Sequence, residues 1–213
     1  MSDKKNNYES FESLKEECMS CTLCDLHENR NNVVFGKGNE NADILFIGEA
    51  PGKNEDLEGY PFVGRAGKQL DSLLNLINFS IEDVYIANIL KCRPPQNRDP
   101  NKEEIKTCTP YLKEQIKFIN PKVIGTLGNY STKFVLSGFK PEKMNSLPGI
   151  TSLRGSPKKV KFKDTEFIVV PLYHPAAMLY RPQLKETMEE DFNTLKKIVD
   201  GEFKSKDKQK KLF

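Results

Sequence analysis

Four runs of apolar, largely β-branched residues punctuate the chain, at Asp43 to Gly48, Val84 to Asn88, Lys122 to Leu127 and Phe167 to Leu172. Each run is close to continuous in apolar character rather than alternating, as strands are when both faces of a parallel sheet are covered. Between the runs the spacing changes to a helical one. Leu70, Leu73, Leu74 and Ile77 share a stripe in a predicted helix from Ala66 to Ile77, and further helices are predicted over Lys102 to Phe118, Tyr130 to Leu136 and Leu184 to Val199. Strands and helices alternating in this way predict an α/β protein, a three-layer α/β/α sandwich around a central four-stranded parallel sheet. Residues 1–200 read as a single domain, and 201–213 as a Lys-rich, flexible tail.

Three of the predicted strands run into loops of unusual composition: GEAPG after the first, NILKCRPP after the second and YHPAAMLYRP after the fourth. Ligands of open α/β sheets bind at the carboxyl ends of strands, so these loops are expected to converge on one cleft. Two glycine-rich stretches do not make a phosphate-binding loop. GEAPGK is one residue too short for that motif and continues into Asn54 where a hydroxyl is needed, and FVGRAGKQ fails the same test.

Composition narrows the class. The chain has 213 residues, 37% of them hydrophobic and 30% charged, enough for one sizeable core. Its longest apolar runs are far too short to span a membrane, and MSDKKNNYES offers no apolar stretch for a secretory signal, so the expectation is an intracellular, cytoplasmic protein. Disulfides are uncommon in that compartment, and five cysteines at uneven spacing then read as metal ligands plus one spare. Cys21 and Cys24 form a close pair, answered by Cys92 and Cys108, while Cys18 extends the first pair to C-x2-C-x2-C. Four thiolates suit an iron–sulfur cluster or structural zinc. The net charge of +3 names no partner. Locally, Lys91, Arg93 and Arg98 gather around Cys92, and five basic residues lie between Arg154 and Lys163, either as a phosphate-facing surface or as a solvated face.

Taken together, GEAPG at 48–52, PFVGRAG at 61–67, NILKCRPP at 88–95, HPAAMLY at 174–180 and CTLCDL at 21–26 resemble the family 4, iron–sulfur type of uracil-DNA glycosylase, with motif order and spacing kept over residues 15–200. The resemblance implies a four-iron four-sulfur cluster, action on uracil in single- or double-stranded DNA, a monomeric and nucleoid-associated protein, and base excision by cleavage of the N-glycosidic bond. It places the cluster ligands on Cys21, Cys24, Cys92 and Cys108 and leaves Cys18 without a counterpart. It places the stacking ring on Phe62, the pyrimidine-edge reader on Asn88 and the donor to uracil O2 on His174, with Gly48 also in the base pocket. An Asn amide offers a donor and an acceptor together, which suits the O4 and N3–H pair of uracil and mispairs with cytosine. The other histidine, His27, sits in a polar stretch and reads as a surface residue.

The group that activates water is less plainly marked. Related glycosylases carry an Asp as the third residue of the first motif, where this chain has Ala50. Glu49 is the first candidate in its place and Glu55 the second, with Asp56 nearby. Met178, Leu179 and Tyr180 are apolar candidates to fill the gap left by a flipped base, and Arg181 to hold a phosphate. A related subgroup attaches covalently to DNA through a histidine in an inserted basic loop after the second strand; this chain has neither insertion nor histidine there, so turnover is expected. The terminal QKKLF, residues 209–213, loosely resembles sliding-clamp binding peptides. Two competing readings remain, an iron–sulfur electron carrier and a DNA-binding module without catalysis.

Overall fold

The computed structural model describes residues 8–202. Its core is a six-stranded sheet made of β1 (Lys37–Gly38), β2 (Ile44–Gly48), β3 (Val84–Asn88), β4 (Val123–Leu127), β5 (Lys158–Phe162) and β6 (Thr165–Leu172). The spatial order is β1-β3-β2-β4-β6-β5. The four inner strands are mutually parallel and are those predicted from the apolar runs; β1 and β5 are antiparallel edges that extend the predicted four-stranded sheet to a mixed six.

Every residue of β2, β3 and β4 is buried, and successive side chains pass to opposite faces. Leu45 and Ile47 join one apolar cluster, to which α1 (Phe11–Met19), α4 (Lys102–Ile119) and α5 (Asn129–Leu136) contribute Leu14, Ile105, Leu112 and Phe134. Ile44 and Phe46 join the other, with Leu70, Leu73 and Leu74 of α3 (Arg65–Leu76) and Met188, Phe192 and Leu195 of α8 (Lys185–Val199). The two clusters are the outer seams of a three-layer α/β/α sandwich. Three short helices complete the chain: α2 (Lys53–Glu58), α6 (Ile150–Leu153) and α7 (Ala177–Tyr180). None of the described helices is long and apolar enough to cross a membrane. The tail beyond residue 202, including QKKLF, lies outside the described residues.

Helix α1 was not anticipated, although its start carries a capping box in which Ser10 and Ser13 each accept from the other's backbone N–H. It buries Leu14 and Cys18 and packs on α4, bringing the N-terminal cysteines to the loop after β3. At the far side of the sheet Arg154 grips Asp191 of α8 with two bonds of 2.8 and 2.6 Å, so it belongs to the scaffold and not to the exposed basic run that follows it.

Candidate active site

The loops after β2, β3 and β6 do converge, and they enclose a cleft of about 290 Å³ lined by Glu49, Glu55, Phe62, Asn88, Arg98 and His174. Its base is built on the register of the two central strands, where Gly48 of β2 pairs with Asn88 of β3. A Cβ at Gly48 would lie 2.2 Å from Asn88 Oδ1 and 3.0 Å from the Phe62 ring. Gly48 therefore serves the pocket by lacking a side chain. Asn88 is buried, and its Oδ1 has no hydrogen-bond partner, the one such buried side-chain atom among the described residues. An orphaned acceptor facing a cleft is costly unless a ligand supplies the donor.

Phe62 stands on strained backbone, with φ of +53° where a non-glycine residue is uncommon. Two features hold it there. Gly67 of α3 lets the Phe62 carbonyl approach to 1.9 Å from where a Cβ would stand, and Lys37 Nζ donates to the same carbonyl at 3.2 Å. The Phe62 ring lies against the His174 ring, centroids 5.5 Å apart and planes 25° from parallel. Lys37 was missed in the sequence because a two-residue edge strand leaves no periodic signal.

His174 is set by the turn that follows it. The Ala176 N–H donates to His174 Nδ1 at 3.2 Å, so in the neutral ring the hydrogen resides on Nε2. Burial lowers its pKa from 6.5 to about 4, an effect only partly opposed by the Glu55 charge, and the ring is neutral at physiological pH. Glu49 is pushed the other way, from 4.5 to about 7, first by burial and then by the nearby Asp99 carboxylate. Glu55 is occupied: Oε1 accepts from the N–H groups of Val63 and Gly64 at 3.1 and 3.0 Å, and Oε2 from Gly52 at 3.1 Å. It clamps the first motif to the Phe62 loop. Asp56 is buried away from the cleft and accepts from the Asn31 backbone and side chain.

The loop at the cleft's rim corrects one expectation. Met178 is buried in the core between sheet and α8 and does not face DNA, whereas Tyr180 is 77% exposed, Arg181 is exposed and Leu179 is half-buried beside them. Of the three basic residues near Cys92, Lys91 is wholly buried and faces no phosphate. Arg98 lines the cleft but is held in two bonds by Glu104, and Arg93 Nε donates to Asn97 Oδ1 at 2.7 Å. Gln96 and Asn97, both at positive φ, shape that loop.

Cys18, Cys21, Cys24, Cys92 and Cys108 all line a second, narrow cavity. His27 also lines it and donates from Nδ1 to the Cys24 carbonyl at 2.8 Å, so it is not the free surface residue expected. Among the described residues no three such side chains close on a single metal ion. The donor set does fit a larger sulfur-ligated group. Arg30 Nη1 donates to Cys92 Sγ at 3.4 Å and the Lys91 N–H to Cys108 Sγ at 3.2 Å, the kind of hydrogen bonds that settle charge on ligating sulfurs. Burial raises the Cys18 thiol to about 12 and raises Cys24, Cys92 and Cys108 as well, so these sulfurs ionise only with a cation among them.

Residues 35–196 match the uracil DNA glycosylase superfamily, the class to which this sheet and cleft correspond. The chain is 48% identical over 187 residues to the type-4 uracil-DNA glycosylase of Archaeoglobus fulgidus, covering 88% of this chain and 92% of that protein. It is 47% identical over 193 residues to the type-4 enzyme of Sulfurisphaera tokodaii, with 90% and 86% covered, and 41% identical over 202 residues to that of Thermotoga maritima, with 91% and 97% covered. The chain belongs to the type-4 uracil-DNA glycosylase family.

The close approach at the cleft floor gives a direct test of its shape. A Gly48→Ala variant should fold yet lose about 10²-fold in kcat/KM on a uracil-containing duplex, because the new methyl displaces the Asn88 amide and the Phe62 ring from a placement that tolerates less than 1 Å. Activity within threefold of the parent would show that neither group sets the pocket.

Proposed function

We propose that this protein removes uracil from DNA by hydrolysing its N-glycosidic bond, leaving an abasic site and initiating base excision repair. The observation that carries this reading is the orphaned Asn88 Oδ1, buried in a cleft between an aromatic face and a neutral histidine. Uracil rotated out of the stack lies on Phe62, gives its N3–H to Asn88 Oδ1 and takes a hydrogen bond at O4 from the same amide. Cytosine presents an acceptor at N3 and an amino group instead, and leaves the amide mispaired. His174 Nε2–H meets O2, where charge collects as the bond breaks. Glu49, ionised above about pH 7, orients water toward the sugar carbon. Glu55 positions the loops and places negative charge near His174. Tyr180 and Leu179 fill the vacated stack, and Arg181 meets a phosphate.

The cysteine cavity is read as the place of a four-iron four-sulfur cluster held by Cys21, Cys24, Cys92 and Cys108, in preference to zinc, since these thiols line one cavity and two of the sulfurs receive hydrogen bonds from Arg30 and the Lys91 N–H. Such a cluster supplies a cross-link here, since hydrolysis transfers no electrons. It ties the chain after α1 to the loop after β3. Cys92→Ser should therefore lose bound iron and the brown absorbance and melt several degrees lower, with proteolysis appearing first between residues 19 and 36. An unchanged spectrum would remove Cys92 from the ligand set.

The enzyme reading is tested with a labelled duplex holding one uracil, treated with alkali after incubation, beside a thymine duplex. Cutting only at uracil is expected. No cutting by protein that retains its brown colour would favour a DNA-binding or electron-carrying role for the same scaffold.

A further inference from the structure

Lys91 lies between the two cavities and is 1% exposed. Its Nζ contacts three acceptors: the Asn88 carbonyl at 2.9 Å, Gln115 Oε1 at 2.6 Å and the Phe35 carbonyl at 3.2 Å. The Gln115 amide is oriented by its own Nε2, which donates to Phe35 O at 3.0 Å, so its oxygen faces Lys91. Three acceptors consume three N–H bonds, which only the ammonium form possesses. All three partners are formally neutral. A buried ammonium is costly unless each N–H is hydrogen-bonded, and here all three are. The same residue's backbone N–H bonds Cys108 Sγ. One residue thus holds the carbonyl of Asn88 with its side chain and a cysteine of the second cavity with its main chain.

We propose that Lys91 is a positioning residue that fixes the Asn88 peptide to the wall of the cysteine-lined cavity and so holds the base-reading amide in place. The coupling rests on the reading of Asn88 given above. It gives the residue between the two cavities a part in base recognition: its side chain holds the Asn88 carbonyl while its main-chain N–H holds Cys108 Sγ. Without the ammonium the Asn88 carbonyl loses its side-chain donor, and Asn88 Oδ1 has no protein partner to compensate.

The test is a Lys91→Met variant of the full chain, followed by iron content, visible absorbance, inhibition by free uracil and deuterium exchange of the peptide spanning residues 84–92. The iron-loaded variant is expected to bind free uracil about tenfold more weakly and to exchange faster at Ile89 and Leu90. Uracil inhibition and exchange both equal to the parent in loaded Lys91→Met would overturn the proposal. A role in packing alone would lower the melting temperature and leave the uracil inhibition constant unmoved. If Lys91→Met fails to fold or load iron, Gln115→Leu removes one acceptor from outside the sulfur site; faster exchange over 84–92 is expected, and parental exchange there would equally overturn the proposal. Should the parent protein itself ignore uracil while the exchange data show the coupling, the excision reading fails and the structural link stands.

Discussion

A His174→Ala variant should release uracil about 10²–10³-fold more slowly than the parent in single-turnover assays, with a melting temperature within a few degrees of it. The size follows from removing one aimed donor from a developing anion, about 2.7–4 kcal/mol of barrier. Because burial holds the His174 pKa at about 4, the ring stays neutral from pH 5 upward, and the Ala176 N–H keeps its hydrogen on Nε2. A neutral ring donates without surrendering its proton, which matches a base that departs as an anion. Uracil O2 carries little charge before the bond breaks, so the interaction strengthens along the reaction and its loss falls on kcat more than on KM. His174→Gln, which retains a donor, should recover part of the rate. A variant that loses affinity and keeps the parental kcat would instead assign His174 to binding of the intact substrate.

Glu49→Gln should cost about 10²–10⁴-fold in kcat, the range for a positioned general base. With Glu49 in the proposed role of base, the parent's activity should rise with pH through about 7 and level off above it, because burial raises its pKa from 4.5 to about 7. His174, titrating near 4, adds no second limb in that range. The variant's profile should be flat between pH 5.5 and 8.5. Stability moves in the opposite direction. A carboxyl whose folded pKa exceeds its unfolded value favours the folded state at low pH and loses that contribution as pH rises through the window from about 4.5 to 7. Glu49→Gln should therefore melt higher than the parent at pH 8 and no higher at pH 4. A parental pH profile in the variant would move the task to another group, Glu55 being the poorest substitute because both its oxygens are already bonded.

The parts of the fold that could be read from sequence are those where one physical force dominates. The inner strands are buried on both faces and so appear as unbroken apolar runs, and α3, α4 and α8 show apolar stripes because one side of each meets the sheet. The edges were missed for the converse reason: β1 has two residues, and in β5 only Val160 is buried. Motif residues Phe62, Asn88 and His174 do share one cleft, but what fixes them is tertiary. The left-handed turn at Phe62, the Lys37 bond to its carbonyl and the turn that selects the His174 tautomer leave no linear signal. Lys91 offered a clue that charge counting overrode. It sits within Ile89, Leu90 and Cys92, all buried, where an exposed lysine would interrupt the apolar run. Met178 similarly follows its loop's helical turn inward, onto α8, while Tyr180 takes the outward position.

The two edge strands bear on how many copies can work side by side. An exposed sheet edge is a template on which a second molecule can add its own strand. Here one edge is too short to template anything, and the other presents Lys158, Lys159 and Lys161 to solvent, with Lys159 tied to Glu166 of the neighbouring strand. Joining two such edges would crowd ammonium groups against one another with little apolar surface gained. Neither edge of this sheet therefore offers a second copy a strand to build on.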